Sequence, residues 1–96
     1  MRVDELLKDK RDEILKIAAK HGARNVRVFG SVARGQASET SDIDFLVEPG
    51  PNTSPWFPVG LIDDLEALLD RKVEVITEGA LHLYIRGKIL KEAVPL

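Results

Sequence analysis

The chain predicts an α/β fold of the α+β type: a small mixed β-sheet with helices packed on at least one face. Three observations carry that expectation. Apolar residues recur every three or four positions in the first, middle and last parts of the chain, the period of an amphipathic helix. Three short runs, at 24–29, 42–48 and 72–77, are rich in Val, Ile and Phe, as strands are. Glycine and proline breaks separate the two kinds of segment, giving the order helix, strand, short helix, strand, helix, strand, helix.

In order, Val3, Leu6, Leu7, Ile14, Ile17 and Ala18 predict one amphipathic helix, stopped near Gly22 by the residue type favoured just past helix ends. Residues 24–29 alternate, with Val26 and Val28 on one face, and Gly30 breaks that strand. Ser31 is suited to cap a short helix running to about Arg34. Residues 42–48 (Asp-Ile-Asp-Phe-Leu-Val-Glu) are the second strand. Four prolines between 49 and 58 exclude an interior helix or central strand, so this stretch is a loop. Leu61, Leu65, Leu68 and Leu69 give the next helix, residues 72–77 the third strand, and Leu81, Ile85, Ile89 and Leu90 a last helix weakened by Gly87. The apolar tail at 89–96 docks either on the domain body or on a second subunit. At 96 residues the expectation is one domain, 1–96.

Composition excludes several function classes. Fourteen basic and 16 acidic residues leave a net charge of −2, far from the basic balance of a domain that grips nucleic acid electrostatically. The absence of cysteine excludes disulfides, zinc–thiolate sites and thiol catalysis. No segment approaches the roughly 20 apolar residues of a membrane span, and the start of the chain has no signal-peptide core, so the expected location is the cytoplasm.

The chemistry concentrates at 30–47. On a strand, Asp42 and Asp44 point the same way, about 6.6–7 Å apart along the backbone. Two acids on one face are unfavourable unless something positive lies between them, and Mg²⁺ takes one or two carboxylates together with phosphate oxygens. Glu74 shares its face with Lys72 and Ile76. If its strand neighbours the second one in register, it completes a triad of acids that can help hold metal and accept a proton from a hydroxyl. Upstream, Gly30 lets backbone approach closely, Ser31 adds a hydroxyl donor, and Arg34 brings a charge one turn on, a pattern suited to phosphate. Each residue also has a plainer reading: Asp42 as a cap at the strand entry, Asp44 and Glu74 as solvated edge acids, Gly30 as a turn glycine, Arg34 as a partner for Glu39.

Taken together, Gly30-Ser31-x-Ala33-Arg34-Gly35 followed by Ser41-Asp42-x-Asp44-Phe45-Leu46-Val47 resembles the signature of the minimal nucleotidyltransferases, within the DNA polymerase β-like superfamily. The resemblance covers nearly the whole chain. It implies that Asp42 and Asp44 ligate Mg²⁺, that Gly30 and Ser31 contact the β and γ phosphates of ATP, that Arg34 is a further phosphate contact, and that Glu74 holds the third carboxylate position. Minimal members often have aspartate there, and other branches have glutamate.

Chains of this size with this motif resemble the antitoxin half of two-gene modules whose partner is a helical HEPN-type ribonuclease toxin. The implied activity is transfer of AMP from ATP to a toxin tyrosine. No segment is left over for an acceptor-binding domain, so a partner or a dimer mate would supply the acceptor. Two alternatives stand beside this reading: neutralisation of the toxin by binding alone, and transfer to a small molecule such as an aminoglycoside. Trp56 and Phe57, in the proline loop, either anchor a partner or fold back over the core. His21 and His82 lack metal spacing and read as surface or helix-end residues, and Tyr84 as a packing residue on a helix face.

Overall fold

The computed structural model describes residues 2–38, 40–81 and 83–96, with the side chains of Leu83 and Tyr84 outside that description. Glu39, weighed above as a partner for Arg34, His82 and the packing of Tyr84 therefore lie outside the described residues. The elements are α1 (Val3–Asp9), α2 (Arg11–Lys20), β1 (Ala23–Phe29), α3 (Gly30–Ala33), β2 (Ile43–Pro49), α4 (Val59–Leu69), β3 (Val73–Thr77), a 3₁₀ turn (Glu78–Ala80), α5 (Leu83–Glu92) and β4 (Val94–Pro95). The strands form one mixed sheet in the order β3-β2-β1-β4. β1 runs antiparallel to β2 and β4, and β2 runs parallel to β3 through the α4 crossover.

Alternation on β2 builds two cores. Ile43, Phe45 and Val47 face a large cluster that takes Val3 and Leu7 from α1, Ile14 and Ala18 from α2, and Leu61, Leu65 and Leu69 from α4. Phe45, Ile43 and Ile14 are wholly buried there, each burial being worth about 1.5–3 kcal/mol. On the opposite face Phe29, Leu46 and Leu81 form a smaller cluster, covered by Ile76, Ile89, Leu90 and Ala93. Helices therefore lie on both faces, but α5 covers only part of the second one. The same face carries Arg27, whose Nη1 lies 2.7 Å from Glu78 Oε1 and whose buried Nη2 has no partner among the described residues. Among the described residues no helix is long and apolar enough to cross a membrane.

Several boundaries differ from the sequence reading. The first helix is two, interrupted at Lys10, because residues 8–13 are all charged and give no apolar side chain to hold that turn on the core. Helix α3 starts at Gly30, with extended Phe29 as its cap residue, so Ser31 lies inside the helix and does not cap it. β2 begins at Ile43 and β3 at Val73, leaving Asp42 and Lys72 just outside the ladder.

The tail docks on the domain body. Val94 and Pro95 pair with Val28 and Arg27, and the Leu96 N–H donates to the Val26 carbonyl at 3.1 Å. Pro95 is tolerated because β4 is the outermost strand. The proline loop splits its aromatics: Phe57 packs against the larger core, whereas Trp56 is 79% exposed. His21 does end α2, but it is also half-buried, its Nε2 lying 2.7 Å from Asp64 Oδ2.

Candidate active site

The parallel pairing of β2 and β3 sets the site. The register places Ile43 opposite Val73, Asp44 opposite Glu74 and Leu46 opposite Ile76, so two acids 30 positions apart in the chain become direct neighbours on one face. On the other side of β2, Asp44 lies opposite Phe29, the residue before Gly30. Three chain segments thus meet at one end of the sheet: the start of β2, the start of β3 and the β1–α3 turn.

Gly30 is needed at that turn. Its φ is +72°, in the left-handed region, and a Cβ there would overlap the carboxylate of Asp44. The backbone of α3 therefore approaches the Asp44 carboxylate with no side chain between them. With only four residues, α3 offers little dipole, so any anion held here relies on its N–H groups directly.

Asp44 is half-buried and its pKa is raised to about 6. Burial is the largest cause, followed by a hydrogen bond with the Glu74 carboxyl and then by the negative charges of Glu74 and Asp42, with Arg34 opposing. Asp42 and Glu74 are exposed. Among the described residues no three His, Cys, Asp or Glu side chains gather into a ready metal cluster. The neighbouring carboxylates of Glu74 and Asp42 thus disfavour ionisation of Asp44. A hard divalent ion suits that arrangement: its charge would offset both the burial and the carboxylate repulsion that hold the Asp44 pKa up.

Arg34 is engaged elsewhere. Its Nη1 donates to Glu92 Oε1 at 2.6 Å and its Nε to Gln36 Oε1 at 3.1 Å, tying α3 to the end of α5. Ser31 is half-buried one position beyond Gly30. A cavity of about 100 Å³ lies between the start of α1 and the loop after α3, lined by Arg2, Asp4, Val32, Gly35 and Ser38 among others. It contains none of the three acids, and the chemistry points to the open acid face instead.

Sequence reasoning missed two residues near the site. Glu92, which holds Arg34, carries no local signal. Arg71, whose Nη1 donates at 3.3 Å to the carbonyls of Ser38 and Ser41, could be placed beside Asp42 only once the β2–β3 register was known.

A mixed sheet with paired acids beside a glycine turn brings together groups suited to a hard cation and to phosphate. A profile of the nucleotidyltransferase domain matches residues 11–96, and the chain belongs to that family of nucleotidyltransferase enzymes. A predicted protein adenylyltransferase of Methanocaldococcus jannaschii is 43% identical over 82 residues, covering 85% of this chain and 88% of that one. The protein adenylyltransferase MntA of Thermococcus cleftensis is 38% identical over 73 residues, 76% and 74% of the two chains. Among solved structures, a predicted minimal nucleotidyltransferase superimposes with a TM-score of 0.84 at 42% identity, over 96% of this chain and 94% of that one. A toxin–antitoxin complex solved with AMP-PNP shares the fold at a TM-score of 0.74 and 19% identity, over 88% and 69%.

Proposed function

We propose that this protein is an antitoxin that transfers AMP from ATP to a hydroxyl, a tyrosine side chain, of a HEPN-type toxin, with Mg²⁺ as the cation. The observation that carries the reading is the side-by-side placement of Asp44 and Glu74 next to the Gly30 turn. Relatives named as protein adenylyltransferases support the class of acceptor. The 96 residues act as one domain, in the cytoplasm, and the acceptor arrives on the toxin or on a dimer mate.

In this reading Asp42 and Asp44, assisted by Glu74, hold the cation, which when bound neutralises charge on the triphosphate and on departing pyrophosphate. The N–H groups at Gly30 and Ser31 and the Ser31 hydroxyl bind the β and γ phosphates. Arg34 reaches them by leaving Glu92. Glu74 takes the proton of the attacking hydroxyl, whose oxygen forms a bond to the α-phosphorus as the bond to the β-phosphate bridge breaks.

The test is intact-mass analysis of the toxin after incubation with this protein, ATP and Mg²⁺. A gain of one or more AMP units is expected, and the Asp42→Asn/Asp44→Asn double variant should abolish it while keeping its fold. A double variant that protects cells from the toxin as well as the parent does would instead show neutralisation by binding.

A further inference from the structure

We infer that Arg71 is a positioning residue that fixes Asp42 for cation binding, an inference that rests on the assignment of Asp42 and Asp44 as ligands. Asp42 is exposed and stands outside the β ladder, so nothing in its own strand pairing holds it. Its two chain neighbours are held, and by consecutive residues of a single turn. Arg71 Nη1 donates to the Ser41 carbonyl at 3.3 Å, and the Ile43 N–H donates to the Lys72 carbonyl at 3.1 Å.

The same Nη1 also reaches the Ser38 carbonyl at 3.3 Å. Ser38 and Ser41 are also bonded to each other: the Ser38 N–H donates to Ser41 Oγ at 2.9 Å and the Ser41 N–H to the Ser38 carbonyl at 3.2 Å. One guanidinium thus joins Ser38 and Ser41, the residue directly before Asp42, to the turn that delivers Glu74 onto β3. The backbone on either side of one acid is thereby referenced to the strand bearing another. An exposed carboxylate held in this way gives up less freedom on binding a cation than one on a loose loop. Were Arg71 only a strut for the α4–β3 turn, its loss would lower stability and leave cation affinity unchanged.

The experiment titrates Mn²⁺ into the full chain, by calorimetry and by the paramagnetic signal of free Mn²⁺, for the parent, Arg71→Gln, Arg71→Lys, Asp42→Asn and the Arg71→Gln/Asp42→Asn double variant. Arg71→Gln is expected to weaken Mn²⁺ binding about tenfold, as loss of an outer-shell partner does. Arg71→Lys, whose ammonium can still bridge two carbonyls, should recover part of that loss and covers the case in which Arg71→Gln does not fold. In the Asp42→Asn background the Arg71→Gln effect should vanish, because a residue acting through Asp42 has nothing left to position. Parent-like Mn²⁺ affinity in Arg71→Gln, or an undiminished effect in the Asp42→Asn background, overturns the role of Arg71 alone. Parent-like affinity in Asp42→Asn overturns the ligand assignment, and the inference with it.

Discussion

Asp44 and Glu74 stand at matched positions on the two parallel strands, and burial together with the neighbouring Glu74 carboxyl pushes the Asp44 pKa up to about 6. The pair works against the fold at neutral pH. A carboxyl whose folded pKa, about 6, lies above its ordinary value of 3.8 stabilises the folded state below about pH 3.8 and loses that contribution as pH rises through 6. Asp44→Asn should therefore raise stability at pH 8 by about 1 kcal/mol, a figure discounted for the partial exposure of the group. At pH 4 the gain should shrink towards zero. Urea unfolding of both proteins at the two pH values checks this. An ion that binds here must displace the proton Asp44 carries below pH 6, so Mn²⁺ affinity of the parent should fall by up to about tenfold per pH unit below 6.

Gly30→Ala tests the close approach of backbone to acid. A φ of +72° and the overlap of a new Cβ with the Asp44 carboxylate both oppose the substitution. The expected costs are about 1–2 kcal/mol of stability and, through displacement of Asp44, roughly 100-fold in nucleotidyl transfer. Thermal unfolding combined with a pyrophosphate-release assay measures both.

Arg34 and Glu92 make a competing bond. If Arg34 must leave the 2.6 Å contact with Glu92 to reach phosphate, Glu92→Gln removes a rival for it and should tighten ATP binding about threefold to tenfold. Arg34→Ala should weaken ATP binding by a similar factor. Calorimetric titration with a non-hydrolysable ATP analogue gives the sign for each variant.

The proline loop offers an internal contrast. Trp56 is 79% exposed, so Trp56→Ser should change stability by less than about 0.5 kcal/mol. Phe57 packs on the main core, and Phe57→Ala should cost about 2–4 kcal/mol. Chemical denaturation of the two variants side by side tests the assignment.

Much of this was readable from local pattern. The alternation of Ile43, Phe45 and Val47 against Asp44 and Leu46 foretells both faces of β2, and the Val73/Val75 alternation does the same for β3. That the two strands are neighbours, with Asp44 beside Glu74, was readable only as a condition. Strand order and register depend on how α4 packs, which no local run of residues records. The break at Lys10 lay open in the charged run 8–13, which the apolar spacing on either side of it outweighed, whereas the docking of Val94 on β1 and the hold of Glu92 on Arg34 were unreadable for the same reason. Each of these two is decided by a partner distant in sequence.

The β2–β3 crossover has a consequence for how the protein comes into being. The chain between Asp44 and Glu74 must close a loop of 30 residues, at an entropic cost of about 3 kcal/mol, to bring together two groups that repel. No early-forming hairpin can assemble these acids, because parallel strands meet only after the helix between them has docked. A nascent or partly unfolded chain therefore lacks the acid pair altogether. Cation binding would then report completion of folding itself, and a variant that weakens α4 would silence the enzyme before it lost the rest of its structure.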